Sequence, residues 1–194
     1  MTPTATPSTF TCQAAASGDD GWARDTANDF SGNAANGFIG ELDTGLTAYM
    51  HWFTRCVVNI PYQSTIHSAY WTWTASDDKT VDTVKIVYSV NDTVVDPAAP
   101  TSYAEVIGLA RTTNTTSQNI TENWTTDSTY VSSDFASSVQ EVVSELGWVS
   151  GEHMIFLIDD NTSTHSDTDA YRTFYSWDGD AAKDPTITIS YSPP

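Results

Sequence analysis

The 194-residue sequence predicts an all-β fold, a two-sheet β-sandwich carrying one short α-helix. Three observations lead there. Apolar and polar residues alternate with period two in several short segments, which puts successive side chains on opposite faces of a strand. Clusters of Gly, Asn, Asp and Ser separate those segments as turns. One stretch carries a helical stripe instead. With 39% hydrophobic and 12% aromatic residues, the chain can close a core, and its length fits one domain.

The elements follow in order. The opening stretch, MTPTATPST, is rich in Pro and Thr and reads as an extended arm over residues 1–9. Residues 10–192 then form the single sandwich domain. Thr11 to Ala16 is a short strand candidate ahead of a Gly-Asp-Asp-Gly turn. Tyr49 to Ile60 is rich in aromatic and β-branched residues and stops at Pro61. From Thr65 to Ala75, Ala69, Trp71, Trp73 and Ala75 share one face, while Tyr70, Thr72 and Thr74 share the other. From Asp82 to Val90, Val84, Ile86, Tyr88 and Val90 share a face. His153 to Ile158 is a continuous apolar run, the mark of a strand covered on both sides. Ile187, Ile189 and Tyr191 alternate with Thr186, Thr188 and Ser190.

Phe135, Val139, Val142 and Leu146 fall at i, i+4, i+7 and i+11, one helical stripe. They predict a helix from Asp134 to Leu146, with Ser132, Ser133 or Asp134 capping its start and Gly147 its end. Such a helix would lie across the open end of the sandwich.

Charge narrows the partners. Seven Lys and Arg against 25 Asp and Glu leave −18, which repels phosphate backbones and excludes nucleic acid and anionic membrane surfaces. No window approaches 18 apolar residues, so no membrane-spanning helix is expected. The first residues show neither a basic n-region nor an apolar h-region, so the expectation is a chain without a secretion signal. Cys12 and Cys56 make no CxxC or zinc pattern. Two buried thiols or one disulfide both fit. The reduced pair is the expectation, since free Cys is among the most buried residue types.

Four pieces, in order, carry a family resemblance. They are Asn59-Ile-Pro-Tyr-Gln-Ser-Thr-Ile-His-Ser-Ala-Tyr-Trp-Thr-Trp-Thr-Ala75, Pro100-Thr101-Ser102-Tyr103 with Arg111-Thr112-Thr113, Trp124 and Tyr130 with the Val139–Val143 helix and Gly147-Trp148-Val149-Ser150-Gly151, and Ser176-Trp177-Asp178-Gly179-Asp180 with Asp184-Pro185 and the strand to Tyr191. Together they resemble the DNRLRE-type domain, a jelly-roll sandwich related to carbohydrate-binding modules. They cover about two thirds of the chain. Gln63-Ser64 departs from that family's Gly-Ala, and Trp71 and Trp73 stand for its Leu and Phe. The resemblance implies a jelly roll on secreted polysaccharide-active enzymes, on cell-surface proteins, or in phage virions.

Chemistry-bearing residues are of two kinds. Acidic clusters occur at Asp19-Asp20, Asp77-Asp78, Asp159-Asp160, Asp167 with Asp169, and Asp178-Gly-Asp180. Hard cations take several loop oxygens, and modules similar to this one often hold a structural calcium near the chain ends. Asp19, Asp20, Asp178 and Asp180 are the candidate calcium ligands, and solvated loop carboxylates are the competing reading. Sugar rings stack on exposed aromatics. Alternation puts Trp71 and Trp73 in the core, so Trp22 and Trp177, beside Asp and Gly, are the candidate carbohydrate platforms. His51, His67, His153 and His165 lack ligand spacing, and no nucleophile–base or nucleotide motif occurs.

The functional expectation is a non-enzymatic structural protein of a bacteriophage virion. It would be a capsid decoration or fibre subunit on the exterior surface, acting by assembly with itself or other virion subunits and adhering to surface glycans. A secreted carbohydrate-binding module or adhesin is the alternative.

Overall fold

Twelve strands and three helices form in the computed structural model, which describes residues 6–25, 28–42, 49–79, 83–161 and 170–194. Residues 1–5 of the expected arm, Asp82, His165, Asp167 and Asp169 lie outside the described residues. Two antiparallel sheets face each other. The first has the order β1 (Ser8–Cys12), β12 (Thr186–Ser192), β6 (Thr65–Thr74), β9 (Thr129–Val131). The second has the order β3 (Asp29–Ser31), β2 (Asp20–Arg24), β5 (Met50–Val57), β10 (His153–Asp160), β7 (Val84–Val90), β8 (Thr116–Ile120). A two-stranded ribbon of β4 (Asn36–Gly40) and β11 (Tyr171–Tyr175) packs on β5, β7 and β10. The result is an all-β, jelly-roll-like sandwich.

The alternating strands place the core as their pattern requires. Ala69, Trp71, Trp73 and Ala75 are fully buried, as are Val84, Ile86, Tyr88 and Val90 on the facing sheet. Trp73 sits among Trp71, Tyr88, Trp124 and Phe174, with ring centroids 5.8–6.3 Å away. Phe174 meets Trp52 edge-on at 4.9 Å. Gly37 makes that contact possible, because a Cβ there would overlap both rings.

The apolar run in β10 is covered on both faces. Its second face joins Ala23, Phe53, Val106, Ile155 and Leu157 under Phe30, Tyr103 and Leu109. This outer cluster is roofed by α1 (Tyr103–Gly108), a helix that the periodicity did not predict. Its signal is a capping box. The Ser102 hydroxyl accepts from Glu105 N–H, and Glu105 accepts from Thr101 N–H at 2.6 Å. A second short turn, α3 (Trp177–Asp180), starts at Ser176, whose hydroxyl accepts from Gly179 N–H.

The expected helix is α2 (Ala136–Ser144), with Val139, Val142 and Val143 buried against β6 and β7. It thus bridges one strand of each sheet. Two details differ from the expectation. The Asp134 carboxylate accepts from Ala69 N–H and Ala136 N–H, so it ties the entry to β6, and Phe135 occupies the cap position. The helix ends before Leu146, which is exposed, and Gly147 turns the chain with φ +115°. That φ falls in the left-handed region, where a side chain is strained.

Cys12 and Cys56 form a disulfide, which corrects the expectation of two reduced thiols. Their Cα atoms are 6.0 Å apart, and the bond joins β1 of one sheet to β5 of the other. Sequence spacing cannot show this, because the pairing of β1 with β12 is what brings Cys12 over Cys56. Strand β1 also starts earlier than expected. Ser8 and Thr9 pair with Tyr191 and Ser190, so they belong to the sandwich and not to an arm, while residues 13–16 run as loop.

Candidate functional site

The acidic corner is built where the loop after β1 meets α3 and the entry to β12. Of the four expected calcium ligands, Asp19 is bound by Arg55 Nη1 at 2.7 Å. Asp178 accepts from the Ser17 hydroxyl at 3.0 Å, and Asp180 lies 3.7 Å from Lys183 Nζ. Asp20 is buried, and Trp177 N–H donates to its Oδ2 at 3.0 Å. Its close partner is a residue that the sequence reading passed over. Asp184 is also buried and accepts from Ala14 N–H at 3.2 Å.

Asp184 Oδ1 meets no donor, and the group beside it is the Asp20 carboxyl. Two carboxyls in contact can bond only through a proton held by one of them. Burial, followed by the Asp20 charge, pushes the Asp184 carboxyl up to about 9, and burial raises Asp20 as well. A hard cation could replace that proton, with Asp20 and Asp184 supplying two of the several oxygens that calcium takes. Among the described residues, no three His, Cys, Asp or Glu side chains converge as a metal cluster.

The two occupants have opposite consequences. The folded form holds its proton up to about pH 9, so a shared proton makes stability fall as pH rises from the ordinary carboxylate range to that value. Asp184→Asn then raises the stability at pH 8, by ~1 kcal/mol or more, and the gain disappears near pH 4. If calcium is bound, excess chelator lowers the melting temperature instead, by several degrees. A ligand at 100 times its Kd contributes about 2.7 kcal/mol. Thermal melts of both proteins with and without chelator separate the cases.

Of the two candidate sugar platforms, Trp22 sits elsewhere than expected. Trp22 is in the middle of β2, not in a turn, paired across from Trp52. Its half-buried ring meets Phe38 edge-on at 6.3 Å and packs on the core. Trp177 opens α3 and is half-buried. Trp124 and Trp148 are buried. A cavity of about 510 Å³ lies instead along Pro97, Ala98, Ala99, Pro100, Glu105 and Leu109, and its lining has no aromatic ring.

A dense charge network lies under α1 among the described residues. His51 on β5 stands between two carboxylates, with Nδ1 2.7 Å from Asp159 Oδ1 and Nε2 3.0 Å from Asp25 Oδ1. The Tyr103 hydroxyl donates to Asp25 at 2.9 Å. Arg111 donates to both oxygens of Asp159, and its Nη1 donates to the Val106, Ile107 and Leu109 carbonyls at the end of α1. The network therefore clamps α1 to the sheet. With a carboxylate on each ring nitrogen, the imidazolium is the form that this geometry favours, and neither nitrogen is left to accept a proton from a substrate. No sequence motif marks it, because its members come from a loop, two strands and the segment around α1.

Burial disfavours charge on His51, but Asp159 and Asp25 outweigh it and raise the imidazole pKa. Burial likewise opposes the Asp159 charge, and His51 and Arg111 outweigh it and hold that carboxyl low. The His51 contribution is complete below the ordinary imidazole pKa and is lost as pH rises through the raised one. The Asp159 contribution is lost as pH falls through its lowered value. His51→Ala is expected to cost about 1–2 kcal/mol near pH 6, since it removes one charged partner from each carboxylate while Arg111 still holds Asp159 and the Tyr103 hydroxyl still donates to Asp25. The cost shrinks toward alkaline pH, and denaturant melts across pH check it.

No family model matches the chain, and no curated protein matches it. The fold defines it as an all-β sandwich of jelly-roll-like architecture, stapled between its sheets.

Proposed function

We propose that this chain is a non-enzymatic structural subunit of a bacteriophage virion exterior, a capsid decoration or fibre subunit that acts by assembly. The observation that carries the reading is a pair of uncharged edge strands, each with a single strand partner among the described residues. Strand β1 (STFTC) ends one sheet and β8 (TSQNI) ends the other, each five residues long without a charge or a proline. Sheet edges present unpaired N–H and C=O groups, and chains that stay apart blunt them with charges, prolines or short strands. Two such edge strands suit strand addition by a neighbour.

Two further features support it. A disulfide between the sheets belongs to an oxidising exterior, of which a virion surface is one. Trp22, Trp52, Trp71, Trp73, Trp124 and Trp148 are buried in the sandwich core or packed on it, and Trp177 is half-buried.

Sedimentation velocity across a concentration series tests the proposal. The purified chain is expected to self-associate, and Thr9→Lys with Thr11→Lys on the β1 edge is expected to abolish the association. A strict monomer that binds a sugar of its own would overturn it in favour of a secreted carbohydrate-binding module.

A further inference from the structure

Among the described residues, six large hydrophobic side chains are exposed, and four of them gather at one end of the sandwich. They are Val57 (39% exposed), Val95 (73%), Leu146 (89%) and Val149 (53%). Scattered exposed apolar residues are ordinary, but a cluster is not. The backbone brings them together. Segments 92–96 and 145–149 touch, with Val94 Cγ2 3.1 Å from the Cβ position of Gly147. Trp148 anchors the second segment by donating its indole N–H to Ile60 O at 2.9 Å. Val58 N–H donates to Glu152 O and Gly151 N–H to Val58 O, which places the end of β5 with Val57 alongside.

The rim of this apolar end is acidic. Asp92 and Glu145 carboxyls lie against each other, and Asp96 and Glu152 flank them. Asp92 Oδ1 and Glu152 Oε2 are shut off from solvent and meet no donor. No Lys or Arg occurs from residue 86 to 110 or from 112 to 171. The nearest strand arginine, Arg55, is committed to Asp19 and to the Pro97 carbonyl. Chain continuity from Asp96 into Pro97 leads from this end to the proline-walled cavity.

A second copy of this chain does not suit this face, because two acidic rims would be pressed together, and like-charge juxtaposition is costly. The fitting complement is apolar at its centre and basic at its edge. We propose that this end docks a different protein, one whose contact surface is an aliphatic knob ringed by lysine or arginine. The inference rests on the assembly reading and gives that assembly a direction, with edges meeting like chains and the acidic end meeting a basic neighbour.

The test uses synthetic peptides as probes for the full chain. A Leu/Lys amphipathic peptide is expected to bind, and a Lys/Ser peptide of equal charge to bind more weakly. Val95→Ser, Leu146→Ser and Val149→Ser together should weaken the Leu/Lys peptide about tenfold or more, a difference of ~1.4 kcal/mol per tenfold. They should leave the Lys/Ser peptide and the melting temperature unchanged, since all three side chains are exposed. Asp92→Asn with Glu152→Gln should weaken both peptides. Equal binding of the Leu/Lys peptide by wild type and the triple variant would overturn the proposal. So would sedimentation in which the triple variant loses the self-association of the wild type, since a second copy would then be the occupant. Because the edge variants report on strand addition separately, this face can fail while the assembly reading stands.

Discussion

Reducing the Cys12–Cys56 disulfide is expected to lower the melting temperature by about 5–15 °C. The bond closes a 44-residue separation and joins β1 to β5 across the two sheets. Cross-linking a loop of that length removes unfolded-state entropy worth ~4 kcal/mol in the chain-entropy picture, and native bonds deliver about 2–4 kcal/mol. For a domain of this size each kcal/mol moves the midpoint by roughly 2–4 °C. Cys12→Ser with Cys56→Ser should reproduce the loss and make the midpoint insensitive to reductant. The damage should concentrate at β1, an edge strand that pairs with β12 alone among the described strands. Hydrogen exchange of Ser8 to Cys12 amides is the local readout. Equal melting curves with and without reductant would show that the staple contributes nothing.

Trp73→Ala is expected to cost about 3–5 kcal/mol, the usual range for an aromatic truncated in a core that cannot collapse. Trp73 is fully buried on β6, between rings contributed by β7, β11 and the segment holding Trp124. Removing it leaves four aromatic neighbours facing a void, and those neighbours come from both sheets and the ribbon. Denaturant unfolding gives the number. Trp177→Ala, at the half-buried start of α3, should cost far less. The contrast separates a core indole from one that sequence reading offered as a sugar platform.

Strands with a clean period were legible from residues alone. β6, β7 and β12 lie within one or two residues of their expected limits, because alternation and burial agree along them, and β10 does so because its continuous apolar run is covered on both faces. The missed strands are β2, β3, β4, β8, β9 and β11; β3 and β9 are three residues long, and β2 (DGWAR), β4 (NGFIG) and β8 (TSQNI) carry Gly, Asp or Asn and too few apolar residues to show a period. They are strands because neighbours supply the ladder. Leu146 fits the helical stripe in sequence, yet the chain leaves the helix before reaching it, and its exposure then becomes a surface feature.

The site was less legible for the same reason. Asp20 was singled out from its acidic cluster, but its partner Asp184 stands in an unremarkable Asp-Pro pair at the entry to β12. His51, Asp25 and Asp159 are far apart in sequence and meet only when β5 pairs with β2 and β10. The apolar end depends on two loops that touch through Val94 and Gly147. Each of these is a product of topology, and no spacing rule reaches it.

Assembly on an exterior surface is the central claim, and antibody labelling of intact particles tests it most directly. Antibodies raised against the purified, oxidised chain, applied to phage particles from the culture that produces it, are expected to decorate the particle exterior in the electron microscope. Particles that remain bare, with the chain recovered as a free monomer in the medium, would contradict it.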